Sequence, residues 1–290
     1  MNWLPGLVTS YFLNWPNNLL LLHGIFFDNC VLNFKNFIGM NLTKSSNPAL
    51  SDRIFIKAGY ASGAEVMNLQ GTLNKALLML ALVILGAAYT WRIFFESVNP
   101  ASVVPWMLVG GIGGFITSLV VIFAPKTSPY TAPVYALLEG IFLGGISAFF
   151  AANYGAGIIM QAVGLTLAVF FLMLLAYRSG TIRATGKFKV MVLAATGAIA
   201  LTYFVSFILS FFGINLGFIR GSGTFGIIFS LIVVGVAALN IIIDLDFIDQ
   251  ASASGAPKFM EWYGAFGLMV TLIWLYIEIL KLLAKLNRRN

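Results

Sequence analysis

The stretch TFGIIFSLIVVGVAALNIIIDLDF, residues 224–247, decides the fold class of this chain. At ~1.5 Å per residue, a helix of this length exceeds the ~30 Å hydrocarbon core of a bilayer. Its two acids, Asp244 and Asp246, lie near its end, and the remainder is almost entirely apolar. The stretch therefore predicts a transmembrane helix.

Six further apolar runs of similar length surround it, at 75–95, 103–124, 132–151, 157–177, 188–212 and 263–283. The breaks between them are rich in Gly, Pro, Asn and Ser, which end helices and form turns. Of the 290 residues, 60% are hydrophobic and 9% are charged. Soluble domains are about half apolar and about a quarter charged. We therefore predict an all-α, polytopic membrane bundle of seven transmembrane helices.

Two N-terminal stretches, 1–39 and 40–74, differ from the predicted transmembrane domain at 75–290. Polar residues such as His23 and Asp28 interrupt the first stretch, which also has no signal-peptide pattern. We predict that 1–39 is an extension that does not belong to the membrane domain. The second stretch opens at Met40 and is polar, which predicts a cytoplasmic N-terminal segment.

The distribution of Lys and Arg predicts the orientation. If the N-terminus is cytoplasmic, most basic residues before the last span fall on the cytoplasmic side, and only Arg92 and Arg220 fall opposite. The cytoplasmic set is Lys35, Lys44, Arg53, Lys57, Lys75, Lys126, Arg178, Arg183, Lys187, Lys189 and Lys258. The positive-inside rule then favours a cytoplasmic N-terminus. If the last run also spans the membrane, Lys281 and Lys285 lie on the outside, which contradicts the rule. Whether the last run spans or re-enters the membrane therefore stays open.

Composition excludes most catalytic chemistry. The single His23 and the single Cys30 both lie near the N-terminus, so the predicted spans offer neither a Ser–His dyad nor the usual zinc, haem or iron–sulfur ligands. The net charge of +7 comes without a basic stripe interleaved with exposed aromatics. We predict no enzymatic activity, no cofactor and no nucleic-acid partner. The lipid bilayer is the expected environment, and the oligomeric state stays open.

Small residues recur at four-residue spacing and predict close helix contacts, because helices in lipid associate by near approach of their backbones. The pairs are Gly110 with Gly114, Gly140 with Gly144, and Ala194 with Ala198.

Acidic residues inside the predicted spans are the strongest functional signal. There are four: Glu139, Asp244, Asp246 and Glu278. A carboxylate at the centre of a span costs ~2.5–3.5 kcal/mol on insertion scales, so such residues are functional, paired or near water. Glu278 has Lys281 three residues later, which predicts an interfacial ion pair on one helix face. Asp249 and Glu261 flank the last connection and are predicted to be solvated.

Two acids on different helices are predicted to lie at similar depth. Asn240 precedes Asp244 by one turn on the same face, and Asp246 points ~200° away from Asp244. With a cytoplasmic N-terminus, Glu139 lies ~13 Å and Asp244 ~8 Å into the membrane. We predict that Glu139, Asn240, Asp244 and Asp246 bind an ion or a proton, and that the site holds a proton at mildly acidic pH. A purely structural role for these groups is the alternative.

Four strings resemble the bacterial branch of the Bax inhibitor-1 (BaxI/YccA-like) family of multi-pass membrane proteins. They are YALLEGIFLG (135–144), YRSG (177–180), ALNIIIDLDFID (238–249) and GAPKFMEWYGAFG (255–267). The resemblance covers the chain from Ser45 to its C-terminus. It implies a bacterial inner (plasma) membrane protein in which six helices surround a central seventh.

The resemblance also implies candidate functions. Some family members are pH-sensitive calcium leak channels, in which an aspartate of helix six pairs with one of helix seven and a basic residue latches the pair. Asp244 matches the first position, whereas Thr271 stands at the second. Glu278 lies about two turns beyond Thr271 and does not replace the missing aspartate. Lys126 and Arg178 are candidates for the latch by topology alone.

Two hypotheses of different classes follow. The first is a pH-sensitive leak for Ca²⁺ or protons, in which Ca²⁺ is a permeant ion bound by oxygen atoms. The second is a non-conducting protein that binds other membrane proteins and regulates their stability or proteolysis. Acids that converge on a hydrated cavity would favour the first, and acids with separate partners would favour the second.

Overall fold

A computed structural model describes residues 66–97, 99–213 and 216–288, and in these ranges the chain forms seven long helices. Each is long and apolar enough to cross a membrane, which confirms the predicted fold class. The helices are α1 (Leu69–Ser97), α2 (Val104–Phe123), α3 (Ser128–Tyr154), α4 (Gly157–Arg178), α5 (Gly186–Phe211), α6 (Thr224–Ala253) and α7 (Met260–Asn287). The predicted extension at 1–39 lies outside the described residues.

Several helices begin earlier than their apolar runs predict. α1 begins at Leu69 rather than Lys75, and α3 begins at Ser128 rather than at residue 132. The polar side chains of these first turns form contacts inside the protein. The Ser128 hydroxyl donates a 3.0 Å hydrogen bond to the carbonyl of Phe259, just before α7. Because such groups find partners in the bundle, a helix can extend past its apolar run.

Glycines bring α1 and α2 close to α3. A Cβ atom at Gly140 would lie 2.8 Å from Cα of Val83 in α1, and one at Gly110 would lie 2.7 Å from the backbone nitrogen of Phe142. Both distances are too short for a real side chain, so these positions require glycine. The close packing predicted from the Gly110–Gly114 and Gly140–Gly144 spacing is confirmed.

The corresponding prediction for α5 is wrong, because Ala194 and Ala198 are exposed in the described protein. α5 instead buries a face formed by Val192, Thr196, Ile199 and Tyr203. The hydroxyl groups of Thr196 and Tyr203 on this face bond residues of α6 and α7. The difference arises because α5 uses polar contacts with its neighbours, which a search for small residues does not detect.

α7 is the most enclosed helix. Of its most apolar stretch, 83% is buried inside the protein, compared with 22% for α1. It packs against α1, α3, α4 and α6, while α5 packs mainly against α6. α7 is unbroken over 28 residues. At ~1.5 Å per residue such a helix is ~42 Å long, which favours a full span over a re-entrant segment.

Candidate functional site

The predicted acid of α6 and its predicted counterpart on α7 are in direct contact. Asp244 is 7% exposed and Thr271 is 2% exposed, so both lie inside the bundle. The hydroxyl group of Thr271 donates a hydrogen bond to Oδ2 of Asp244. The sequence match that placed Thr271 opposite Asp244 therefore corresponds to a physical contact between α6 and α7.

Asn240 lies one turn before Asp244 on α6 and joins this helix to α5. Its side-chain amide donates to the Thr196 hydroxyl at 2.7 Å and to the carbonyl of Val236 at 2.9 Å. Both Asn240 and Thr196 are buried. The polar stripe of α6 thus contacts α5 through Asn240 and α7 through Asp244.

Asp246 has a different set of partners. Its Oδ2 atom lies 2.5 Å from the ammonium group of Lys189, near the start of α5, and it also accepts from the Gln250 amide at 2.5 Å. The two latch candidates, Lys126 and Arg178, are exposed, and neither forms an ion pair within 66–97, 99–213 and 216–288. Lys189 is thus the basic residue that pairs with an acid at this end of α6.

Glu139 lies in α3 and is fully buried. A Cβ atom at Gly114 of α2 would lie 2.9 Å from Oε2 of Glu139, so the carboxylate lies against α2. α3 packs mainly against α1 and α2, whereas α6 packs mainly against α7, α4 and α5. The contact between α3 and α6 that would bring Glu139 to Asp244 is therefore not a main contact of the bundle.

A second buried acid, Glu278, sits in the later half of α7 and is 1% exposed. Its Oε1 atom accepts from Lys281 at 2.9 Å, which confirms the predicted ion pair. Its Oε2 atom accepts from the Tyr203 hydroxyl of α5 at 2.9 Å. Glu278 thus lies inside the bundle, where Tyr203 of α5 bonds its carboxylate.

The side chain of Lys285, a further basic residue on the same face of α7, is buried against α6. Its ammonium group donates to the Ser230 hydroxyl at 2.7 Å and to the carbonyl of Gly226 at 3.0 Å. A signal for this contact was present, because Lys285 lies two turns beyond Glu278 and therefore on the same face of α7.

Glu261, at the start of α7, contradicts its predicted exposure, since it is 0% exposed. It forms an ion pair with Lys75 of α1 and a second one with Lys258 at 3.3 Å. The backbone N–H of Asn68 also donates to Oε1 at 3.0 Å. The Glu261 carboxylate thus fastens the beginning of α1 to the beginning of α7. Asp249, by contrast, is exposed as predicted.

The described acids do not assemble into a metal site. Within the described ranges, no group of three or more His, Cys, Asp or Glu side chains could hold a metal ion. Asp244, Asp246, Glu261 and Glu278 each contact a different set of neighbours. The arrangement is a series of separate buried acids, distributed along α6 and α7.

Comparison with models of known protein families identified a match. The family model described as Bax inhibitor 1 like matches residues 47–288, which is most of the chain. No curated protein matches the chain. The matched range contains every described helix and all of the acids above.

Proposed function

The chain belongs to the Bax inhibitor 1 like family, and we propose that it is a gated cation leak closed by the Asp244–Thr271 contact. The observation that carries the proposal is a carboxylate, only 7% exposed, that binds a neutral hydroxyl on the neighbouring helix. Ionisable groups at such depth are costly in lipid and are typical of ion and proton pathways. A contact between two helices can also open without unfolding either of them.

Oxygen chemistry favours Ca²⁺ or protons as the permeant species. Ca²⁺ takes about six to eight oxygen ligands, and Asp244 with Thr271 offers carboxylate and hydroxyl oxygens. Water supplies the remaining ligands, so the ion binds weakly enough to leave again, as conduction requires. A permanently bound metal is not part of this proposal.

The threonine changes how the contact responds to pH. A hydroxyl donates to an ionised carboxylate and accepts from a protonated one, so the Asp244–Thr271 bond forms in both states. The resemblance implies two aspartates at this place in channel-type members, and two adjacent carboxylates approach only when one is protonated. We therefore propose that closure depends less on pH in this chain than in members with the aspartate pair.

The proposed location is a bacterial inner membrane with a cytoplasmic N-terminus. Asp244 then lies near the cytoplasmic end of α6, and the Lys189–Asp246 pair lies beside that entrance. A positive side chain there repels cations while it is unpaired and is neutralised while it contacts Asp246.

Ion flux into liposomes tests the proposal. Purified protein is reconstituted with a trapped calcium indicator, and entry of Ca²⁺ is followed between about pH 5 and pH 8, where carboxylates near one another change protonation. Asp244→Asn should abolish the pH dependence that remains in this chain, and Thr271→Val should raise the flux because it removes the closing bond. Asp249→Asn is the matched control, since Asp249 is an exposed acid of the same helix. A wild-type protein without flux at any pH would show that the chain is not a leak.

A non-conducting interaction protein is the second candidate, which would regulate the stability or proteolysis of other membrane proteins. The observation that favours it is the separate pairing of Asp246 with Lys189, Glu261 with Lys75 and Glu278 with Lys281. Acids that serve packing alone show this pattern. Absence of flux, together with a lower thermal stability of Asp244→Asn, would support this second function.

A further inference from the structure

In the later half of α7, nearly all of the polar side chains lie on one face. The residues are Thr271, Trp274, Glu278, Lys281 and Lys285. At 100° per residue they fall within an arc of ~80° and extend over ~21 Å, most of the thickness of a bilayer core. The apolar residues between them point elsewhere, so the face is a narrow polar stripe.

This stripe remains in register with α6 over its whole length. Thr271 contacts Asp244 at one end, and Lys285 contacts Ser230 at the other. The two contacts are separated by the same number of residues on both helices, so the same face of α7 follows α6 throughout. α5 closes the third side, because its Tyr203 hydroxyl reaches Glu278 in the middle of the stripe.

Trp274 lies in the stripe between Thr271, which contacts Asp244, and Glu278. Its side chain is 8% exposed, and its indole N–H is buried without a hydrogen-bond acceptor in the described part of the chain. Thr271 lies one turn before it and Glu278 one turn after it, on the same face. Buried donors in proteins nearly always have an acceptor, which is either a protein group or bound water.

We propose that this stripe is a hydrated seam between α5, α6 and α7, in which bound water accepts the hydrogen bond from the Trp274 indole. Such a water has polar neighbours on both sides, since the Thr271 hydroxyl and the Glu278 carboxylate flank Trp274. It links the Asp244–Thr271 contact to the Glu278–Tyr203–Lys281 cluster. The proposal that hydrated cations pass along the seam rests on the proposed leak function. The proposal that the seam contains water does not.

Nuclear magnetic resonance tests the hydration directly. The chain is labelled with ¹⁵N in the indole rings of its six tryptophans and placed in lipid nanodiscs. The Trp274 signal is assigned by its loss in Trp274→Phe, with Trp106→Phe as the control for a tryptophan on the outer surface. We expect magnetisation transfer from water to the Trp274 indole N–H. A Trp274 signal without such transfer would overturn the proposal.

The flux assay tests whether the seam is the route. Trp274→Phe keeps an aromatic ring and loses only the donor, so cation flux should fall by roughly fivefold, as expected for one lost hydrogen bond. Tyr276→Phe is the matched control, because this buried residue of α7 bonds Ser147 of α3, away from the stripe. Equal flux in both variants would show that cations do not use the seam. If the wild-type protein has no flux, the proposed leak function is wrong. The hydration of the seam is then tested by the magnetisation transfer from water to Trp274 alone.

Discussion

The two ends of α7 carry buried glutamates that are held in different ways. Glu261 and Glu278 are 0% and 1% exposed, so both are removed from solvent to the same degree. Glu261 is neutralised by Lys75 of α1 and Lys258 of the preceding connection. Glu278 is neutralised by Lys281 of its own helix, and among the described residues its partner from another helix is the neutral Tyr203.

The difference separates a structural clamp from a local pair. Breaking the Glu261 contacts removes an ion pair that joins the beginning of α1 to α7, which are far apart in sequence. Breaking the Glu278 ion pair leaves the helices connected by their apolar packing. Burial alone therefore does not determine how much a charged group stabilises a bundle. It also matters whether its partner lies on the same helix or on another one.

The largest expected effect is that of Glu261→Gln. Removing one charge from a buried ion pair leaves the other uncompensated and typically costs ~3–5 kcal/mol. Lys75 and Lys258 are the two charges left without their partner. We expect a strong fall in the thermal unfolding temperature in detergent, measured by circular dichroism.

Glu96→Gln is the control for this variant, because Glu96 pairs with Arg92 on the exposed surface of α1. An exposed pair contributes only ~0–1 kcal/mol. Similar losses in the two variants would show that the Glu261 cluster is not a clamp.

A smaller loss is expected from Gly71→Ala, which tests the same clamp from α1. A Cβ atom at Gly71 would lie 2.5 Å from the Glu261 carboxyl carbon. Overpacking of this kind costs ~1–3 kcal/mol. Gly197→Ala in α5 is the control, since nothing lies within 4 Å of its Cβ position. It should be neutral or stabilise by ~0.5–1 kcal/mol, because alanine favours the helix. A stabilising Gly71→Ala would contradict the close approach of Glu261.

The smallest expected loss of stability is that of Glu278→Gln. The amide still accepts a hydrogen bond from Tyr203, and one lysine rather than two loses its counter-charge, so the cost should be smaller than that of Glu261→Gln. The unfolding temperature should fall less than in Glu261→Gln under identical conditions. A fall as large as that of Glu261→Gln would remove the distinction between the two ends of α7.

The number of helices could be predicted because lipid imposes a length and a composition on every span. Apolar runs such as 224–247 and 263–283 fulfil both requirements locally, without reference to the rest of the chain. The helix ends were less predictable. At the beginning of α1 the backbone N–H of Asn68 donates to Glu261, and this contact joins residues that are 193 positions apart. A pattern of neighbouring residues cannot indicate such a partner.

The candidate site shows the same division. The contact between Asp244 and Thr271 was predictable, because Asp244 lies in a string that resembles the family and alignment with that family places Thr271 at the counterpart position of helix seven. The positions of Glu139 and Glu261 were not, since they depend on which helices meet. Glu139 lies against Gly114 of α2, and Glu261 lies among charges from α1 and from the preceding connection. Acidic residues of similar depth do not reveal their neighbours until the helices are arranged.

The placement of Lys285 has a consequence for the way the protein is made. α7 carries Glu278, Lys281 and Lys285, and such charges are unfavourable for a helix that enters lipid alone. Their partners Tyr203, Gly226 and Ser230 all precede α7 in the chain. Because synthesis proceeds from the N-terminus, α5 and α6 are already present when α7 emerges from the ribosome. The residues that α7 binds are therefore synthesised before it. We expect the insertion of α7 into the membrane to be coupled to its packing against α5 and α6.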